Sequence, residues 1–170
     1  MLLDVRIPYS TKRDLGDAYN KAIESSSSDW VLLLDHDVFL AVNPKWYEMC
    51  VQTIHSHSPD LATCWTNKTG SALSWIAYQD SPDSADIKDH IATAKAVYDQ
   101  YGSSVTEIEK ATGFFMLINK KTWGKVGGFQ VGSIQETDWK YCDKLRASNH
   151  KILRMDGLYV YHHKARSWLA

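Results

Sequence analysis

Two aspartates stand where a strongly apolar stretch of the chain ends. Residues 30–34 are Trp, Val and three Leu, and Asp35-His36-Asp37 follows them directly. Such a stretch predicts a strand covered on both faces, and in open α/β sheets ligands bind at the carboxyl ends of the strands. Two carboxylates this close repel each other unless a cation lies beside them. Asp35 and Asp37 are therefore candidate ligands of magnesium, manganese or calcium, the alternative being two solvated aspartates at a strand end.

A second predicted strand, residues 158–162, also ends in side chains that bind metals. His162 and His163 stand at its end, and a neutral imidazole could complete a site begun by Asp35 and Asp37. Side chains alternate across a strand, so the two histidines face opposite ways and we expect one of them to bind. The alternative is a surface pair of histidines with no special role.

Glu136 and Asp138 open a predicted helix over residues 136–147. Carboxylates in the first turn of a helix are stabilised by the helix dipole whatever their function. The functional interpretation is a general base that takes a proton from a substrate hydroxyl.

A crossing from a strand to a helix near the N-terminus is a candidate site for a diphosphate. Backbone amides at a helix start and an arginine both bind phosphate oxygens. The chain has neither GxGxxG nor GxxxxGK[ST], so this is not a dinucleotide fingerprint or a P-loop. The residues concerned are Pro8, Tyr9, Ser10, Arg13 and Asn20.

The elements that must position these groups alternate between strand and helix. Strands are predicted at residues 3–7, 30–34, 61–66, 113–119 and 158–162. Helices are predicted after a capping box formed by Thr11 and Asp14, after Asn43-Pro44, over 87–101 with Gly102 closing it, and over 136–147. Alternation of this kind predicts an α/β fold, a mostly parallel sheet flanked by helices, in a single domain spanning residues 1–170.

Composition narrows the classes of function. With 44% hydrophobic and 23% charged residues the chain is typical of a globular protein, and its formal charge of -1 argues against nucleic acid as a partner. The longest apolar runs are too short to span a bilayer, so no transmembrane segment is expected. Three widely spaced cysteines fit reduced thiols, and with an N-terminus unlike a secretory signal they favour a cytoplasmic location.

Taken in order, these motifs resemble a family 2 glycosyltransferase of the GT-A type. The first resemblance is the strand that ends in the DxD of Asp35 and Asp37, and the second is the segment 112–129, which ends in Gly127-Gly128-Phe129. The third is the acidic motif Gln135-Glu136-Thr137-Asp138. The fourth is the last strand with its histidines, followed by Ser167, and residues 8–20 resemble the donor-binding opening of short bacterial and phage members.

The resemblance implies a GT-A-like fold, a nucleotide-sugar donor with UDP-sugar favoured, a saccharide or other hydroxyl acceptor, and Mn²⁺ or Mg²⁺. It implies that Asp35, Asp37 and His162 bind the metal. Glu136 would be the catalytic base of an inverting transfer, with Asp138 as the second choice. The donor-binding residues it implies are Pro8, Tyr9, Ser10, Arg13, Asn20, Asp35, His36 and Gly113.

Two other functions are compatible with the sequence, and one further loop has an open role. Only 34 residues precede the DxD, fewer than in typical members, which suggests a nucleotide-sugar-binding module that has lost turnover. Asp35 and Asp37 also match the start of haloacid-dehalogenase phosphatases, where the first Asp is the nucleophile. Separately, the loop 67–84 carries Trp75 and Tyr78 and is either an acceptor-side lid or an ordinary surface loop.

Overall fold

The computed structural model describes residues 3–67, 75–132 and 136–163 of the 170-residue chain. Strands and helices alternate along most of the chain, as expected. The elements are β1 (Leu3–Arg6), α1 (Leu15–Glu24), β2 (Trp30–Leu34), β3 (Val38–Phe39), α2 (Trp46–His57), β4 (Leu61–Thr66), α3 (Ile87–Tyr101), β5 (Val105–Glu107), β6 (Phe115–Asn119), α4 (Lys120–Val126), α5 (Thr137–Ala147) and β7 (Ile152–His162), with a 3₁₀ turn at Leu40–Val42. The predicted α/β class is confirmed.

The strands form an open sheet whose order is β1-β2-β6-β4-β7-β3, with β5 paired to β7. β1 and β2 are parallel, whereas β6 runs antiparallel to both β2 and β4, and β3 runs antiparallel to β7. The prediction of a mostly parallel sheet is therefore wrong for these pairs. The reason is that alternation of strand and helix in sequence fixes neither the neighbour nor the direction of a strand, and β6 returns between two strands that precede it.

Contacts divide the described residues into two compact units built from interleaved stretches of chain. Among these residues the first unit draws on 3–36, 58–63, 107–132 and 136–153, and the second on 37–57, 64–67, 75–106 and 154–163. Neither unit is one continuous stretch of the chain, and the single domain stays a prediction.

The core of the first unit surrounds β2, which is buried along its whole length. One face of α1 packs against it through Tyr19 and Ile23, and α5 packs through Tyr141 and Leu145. α1 begins at Asp14, whose side chain accepts from the Asp17 amide, and the Ser10 hydroxyl accepts from the Asp14 amide. The capping box predicted from Thr11 is thus replaced by a cap three residues later.

The second unit has a smaller, aromatic core. Tyr159 and Tyr161 of β7 pack with Val97 of α3 and with Val42, and Trp65 and Tyr78 lie against them. α3 begins at Asp86, whose side chain accepts from the Lys88 amide, and ends at Gly102, as predicted.

Close packing of α1 against the loop after α4 generates a stability prediction. A Cβ atom on Gly16 would overlap the backbone carbonyl of Gln130, whereas one on Gly124 in α4 would meet no atom within 4 Å. We expect Gly16→Ala to lower the free energy of unfolding by about 1–3 kcal/mol through overpacking. The control, Gly124→Ala, should raise it by up to about 1 kcal/mol through helix propensity alone. Urea unfolding measures both, and equal effects would contradict the packing of α1.

Candidate active site

Asp35 continues the line of β2 and lies in the first unit. Its amide donates to the carbonyl of Phe114 at 3.2 Å, which extends the antiparallel pairing of β2 and β6 by one residue. His36, the next residue, is exposed. The buried strand therefore delivers Asp35 to its carboxyl end, as the sequence predicted.

Asp37 and His162 are brought together within the second unit. β3 pairs with β7 so that Val38 stands opposite His162, and the amide of His163 donates to the carbonyl of Asp37 at 3.0 Å. The carboxylate Oδ1 of Asp37 lies 3.1 Å from Nε2 of His162, with 13% and 10% of the two side chains exposed. A carboxylate and an imidazole in this sheltered pairing can share either a proton or a metal ion.

The two histidines have different surroundings. His162 is buried beside Asp37, whereas His163 is exposed and its Nδ1 is 2.9 Å from the hydroxyl of Tyr161. Because side chains alternate along β7, the imidazole beside the Asp37 carboxylate is that of His162, whereas His163 meets Asp37 through its backbone amide.

Asn67, which was not among the residues predicted from the sequence, holds His162 in place. Asn67, which is 8% exposed, accepts from the His162 amide through Oδ1 at 2.8 Å and donates to the His162 carbonyl through Nδ2 at 3.2 Å. The side-chain amide therefore pairs with β7 as a further strand would. A lone asparagine at the end of a predicted strand gives no signal of this role.

The Asn67 contacts predict a large effect from a small substitution. Asn67→Asp keeps the acceptor but replaces the donor by an oxygen facing the His162 carbonyl, leaving a buried carbonyl without its donor. We expect the free energy of unfolding to fall by about 1–3 kcal/mol. Asn149→Asp, at an exposed turn, makes the same change of charge and should shift it by less than about 0.5 kcal/mol. Similar losses in both variants would argue against a positioning role for Asn67.

Glu136 has the exposure of a residue that can meet a substrate. Its φ of 58° places it in the left-handed region, immediately before α5, and its side chain makes no capping hydrogen bond. The side chain is 63% exposed, and its nearest ion pair, to Lys140, is long at 3.8 Å. A non-glycine residue in this conformation carries strain, and strain of this kind concentrates at functional sites.

The side chain of Asp138, unlike that of Glu136, accepts hydrogen bonds from backbone amides. Its Oδ2 accepts from the amide of Gly113 at 2.9 Å, and its Oδ1 accepts from the amide of Trp139 at 2.9 Å. Burial raises the pKa of this carboxyl above its ordinary value, although the two amides act in the opposite direction. The side chain thus fastens the segment before β6 to the start of α5.

The contrast between these carboxylates generates a prediction about stability. Asp138→Ala leaves the Gly113 amide without its acceptor and should lower the free energy of unfolding by about 1–3 kcal/mol. Glu136→Gln keeps the shape of an exposed side chain and should change it by less than about 0.5 kcal/mol. Urea unfolding of both variants measures the difference, and a destabilised Glu136→Gln would count against its placement at the surface.

Of the predicted donor-binding residues near the N-terminus, some are exposed and one makes hydrogen bonds within the protein. Tyr9 is 84% exposed, Pro8 and Ser10 are half-buried, and Arg13 is exposed with a φ of 56°. Asn20 is engaged internally. Its amide group donates to the Phe129 carbonyl and accepts from the Phe129 amide and the Trp123 indole at 2.8–3.1 Å. In this conformation Asn20 joins α1 to the GlyGlyPhe segment, and donor binding by these residues stays a prediction.

Gly113 lies against the buried side chain of Tyr19. A Cβ atom at Gly113 would stand 2.6 Å from the hydroxyl of Tyr19, so a side chain there would require the Tyr19 side chain to shift. That hydroxyl is buried and has no hydrogen-bond partner among the described residues. Burial, together with the charged neighbours Asp35 and Asp138, raises the pKa of Tyr19 well above its ordinary range.

The family model of glycosyl transferase family 2 matches residues 3–130, most of the chain. The chain belongs to glycosyl transferase family 2. The match includes Asp35, Asp37, Gly113 and the GlyGlyPhe segment, and it ends before Glu136, Asp138 and His162. The roles of these last three residues therefore depend on geometry rather than on the match. No curated protein matches the sequence.

Family membership favours the glycosyltransferase interpretation over the phosphatase one, and it implies a nucleotide-sugar donor and an acceptor. Gln135 and Ser167, which contributed to the resemblance, lie outside the described residues, as do residues 68–74 of the loop 67–84. Within the described part of the chain, every helix is too short or too polar to cross a membrane.

Proposed function

We propose that the protein transfers a sugar from a nucleotide-sugar donor, with UDP-sugar favoured, to a hydroxyl acceptor. Membership of the family supports the reaction class. The observation that carries the proposal within this chain is the sheltered pair of Asp37 and His162, with 3.1 Å between Oδ1 and Nε2.

We assign a divalent cation, Mn²⁺ or Mg²⁺, to Asp35, Asp37 and His162. Each of these residues offers one metal-binding atom, two of them carboxylate oxygens and the third an imidazole nitrogen. Asp35 and Asp37 are separated by one residue, so their Cα atoms lie within about 7 Å of each other. The two carboxylate oxygens suit the hard cations Mn²⁺ and Mg²⁺, and a neutral imidazole is a common ligand of divalent metals. When bound, the cation would offset the negative charge that develops on the departing nucleotide diphosphate.

Glu136 is the proposed base. The acceptor oxygen attacks the anomeric carbon as the bond from that carbon to the diphosphate oxygen breaks, and the proton of the acceptor hydroxyl passes to the Glu136 carboxylate. A single displacement of this kind inverts the configuration at the anomeric carbon. Exposure of Glu136 supports this role, because an attacking hydroxyl must reach the carboxylate. Asp138 already accepts from two backbone amides and is the second candidate.

The experiment separates metal binding from proton transfer. Mn²⁺ binding is followed by the electron paramagnetic resonance of free Mn²⁺, and donor cleavage is followed with UDP-, GDP- and dTDP-sugars, with and without Mn²⁺. We expect Asp37→Asn to lose both Mn²⁺ binding and donor cleavage. Glu136→Gln should keep Mn²⁺ binding but lose at least about 100-fold in sugar transfer, the lower end for a general base.

Matched controls are Asp99→Asn and Glu109→Gln, which change exposed carboxylates elsewhere. Both should behave as the wild type. Wild-type Mn²⁺ binding by Asp37→Asn would make the Asp37–His162 contact a simple ion pair. Donor binding by the wild type without either transfer or hydrolysis would point instead to a binding module that has lost turnover.

A further inference from the structure

A small pocket in the second unit is lined by three aromatic rings and three polar side chains. Its volume is about 150 Å³. This is roughly half of the lower limit for pockets that hold drug-sized ligands, about 300 Å³, so it has room for one ring-sized group. The lining residues are Trp65, Tyr78, Gln79, Asp80, Gln100 and Tyr101.

Backbone pairing builds the wall of the pocket. The amide of Thr66, at the end of β4, donates to the carbonyl of Ile76 at 2.9 Å, and the amide of Tyr78 donates to the carbonyl of Thr66 at 2.8 Å. The side chain of Ile76 is fully buried, which anchors the segment 76–78 to the core. The opposite wall comes from the end of α3, where the Gln100 side-chain oxygen accepts from the Tyr78 hydroxyl at 3.5 Å. The pocket is therefore formed before any ligand arrives.

The aromatic rings stand at an angle to one another. Trp65 and Tyr78 meet edge to face, with centroids 5.8 Å apart and planes at 68°. The Arg154 guanidinium covers the Trp65 ring at 3.6 Å and is itself held by Asp156. The indole N–H of Trp65 is buried and has no acceptor among the described residues.

The polar side chains select the kind of ligand. Gln79, Asp80 and Gln100 carry oxygens that can accept from hydroxyl groups, and the aromatic side chains add apolar surface against which the C–H groups of a sugar can pack. None of the six lining residues is Lys or Arg, and the Asp80 carboxylate repels a diphosphate. The lining therefore favours a neutral, hydroxyl-rich ring over a nucleotide.

We propose that this pocket binds one sugar ring of the acceptor, which makes the acceptor a saccharide. The assignment as acceptor rests on the proposed function, whereas the binding of a sugar does not. Hydrogen bonds connect the pocket to His162, one of the candidate metal ligands. Ser81 follows Asp80 and donates through its hydroxyl to the Asn67 carbonyl at 3.2 Å, and Asn67 pairs with the backbone of His162.

The test uses the full chain without nucleotide and a panel of methyl glycosides of glucose, galactose, mannose and N-acetylglucosamine. Binding is measured by saturation-transfer NMR. We expect at least one glycoside to bind, and Asp80→Ala to weaken that binding roughly tenfold, as for the loss of a hydrogen bond to a charged group. The matched control Asp99→Ala removes an exposed aspartate of α3 that does not line the pocket and should bind as the wild type does.

A second substitution, on α3, tests whether the effect of Asp80→Ala comes only from a local change in the loop that carries Asp80. Gln100→Ala, on α3, should weaken binding, while Gln52→Ala, an exposed glutamine of α2, should not. In the enzyme assay Asp80→Ala should raise the KM for the acceptor, whereas Asp99→Ala should leave that KM unchanged.

Three outcomes would overturn the proposal: no glycoside of the panel binds, Asp80→Ala and Asp99→Ala bind equally, or UDP displaces the glycoside. Glycoside binding with the expected variant effects but without donor cleavage would refute the proposed function and leave the sugar-binding pocket standing. Donor cleavage without glycoside binding would do the reverse.

Discussion

The contact between Asp37 and His162 depends on residues that are 125 positions apart in the chain, and much of the second unit serves to hold it. Pairing of β3 with β7 sets the register, the Asn67 amide fixes the backbone of His162, and stacking of Phe39 on Tyr161 reinforces the pairing beside it. A carboxylate and an imidazole this sheltered would lose much of their hydration, which is costly unless each compensates the other. The surrounding hydrogen bonds are therefore a condition for keeping both groups at the site.

The acidic motif shows how two carboxylates two residues apart acquire different chemistry. The first stands outside the helix in a left-handed conformation, and the second enters the first turn and accepts from backbone amides. The second carboxylate accepts from the Gly113 amide, whereas the side chain of the first is largely exposed. A base needs access to its proton donor, whereas a structural carboxylate needs satisfied hydrogen bonds, and the two positions meet these needs separately.

Local signals in the sequence predicted most elements of the fold. β2 followed from an unbroken apolar run, and the bounds of α3 followed from helical periodicity and a glycine whose φ of 57° ends the helix. The direction of β6 did not follow, because apolar content says nothing of the partner strand. The start of α1 was misplaced because Thr11 and Asp14 are equally good caps in sequence. The choice was made by tertiary contacts, since the Asp14 carboxylate also accepts from the amide of Gly132.

The residues of the candidate site also fall into those that the sequence predicts and those that only the folded structure shows. Asp35, Asp37 and His162 carry chemistry that a strand-end position makes visible in sequence. The sequence gives no such sign for Asn67 or for the residues that line the pocket beside Trp65, because their proposed roles depend on the groups that they contact in the folded chain. Tyr78 is one case: in sequence it is an aromatic residue in a polar loop, and only its pairing with Thr66 turns its ring towards Trp65. Residues whose function is to position others can be recognised only from three-dimensional contacts, and in this chain they link the pocket to the histidine at the end of β7.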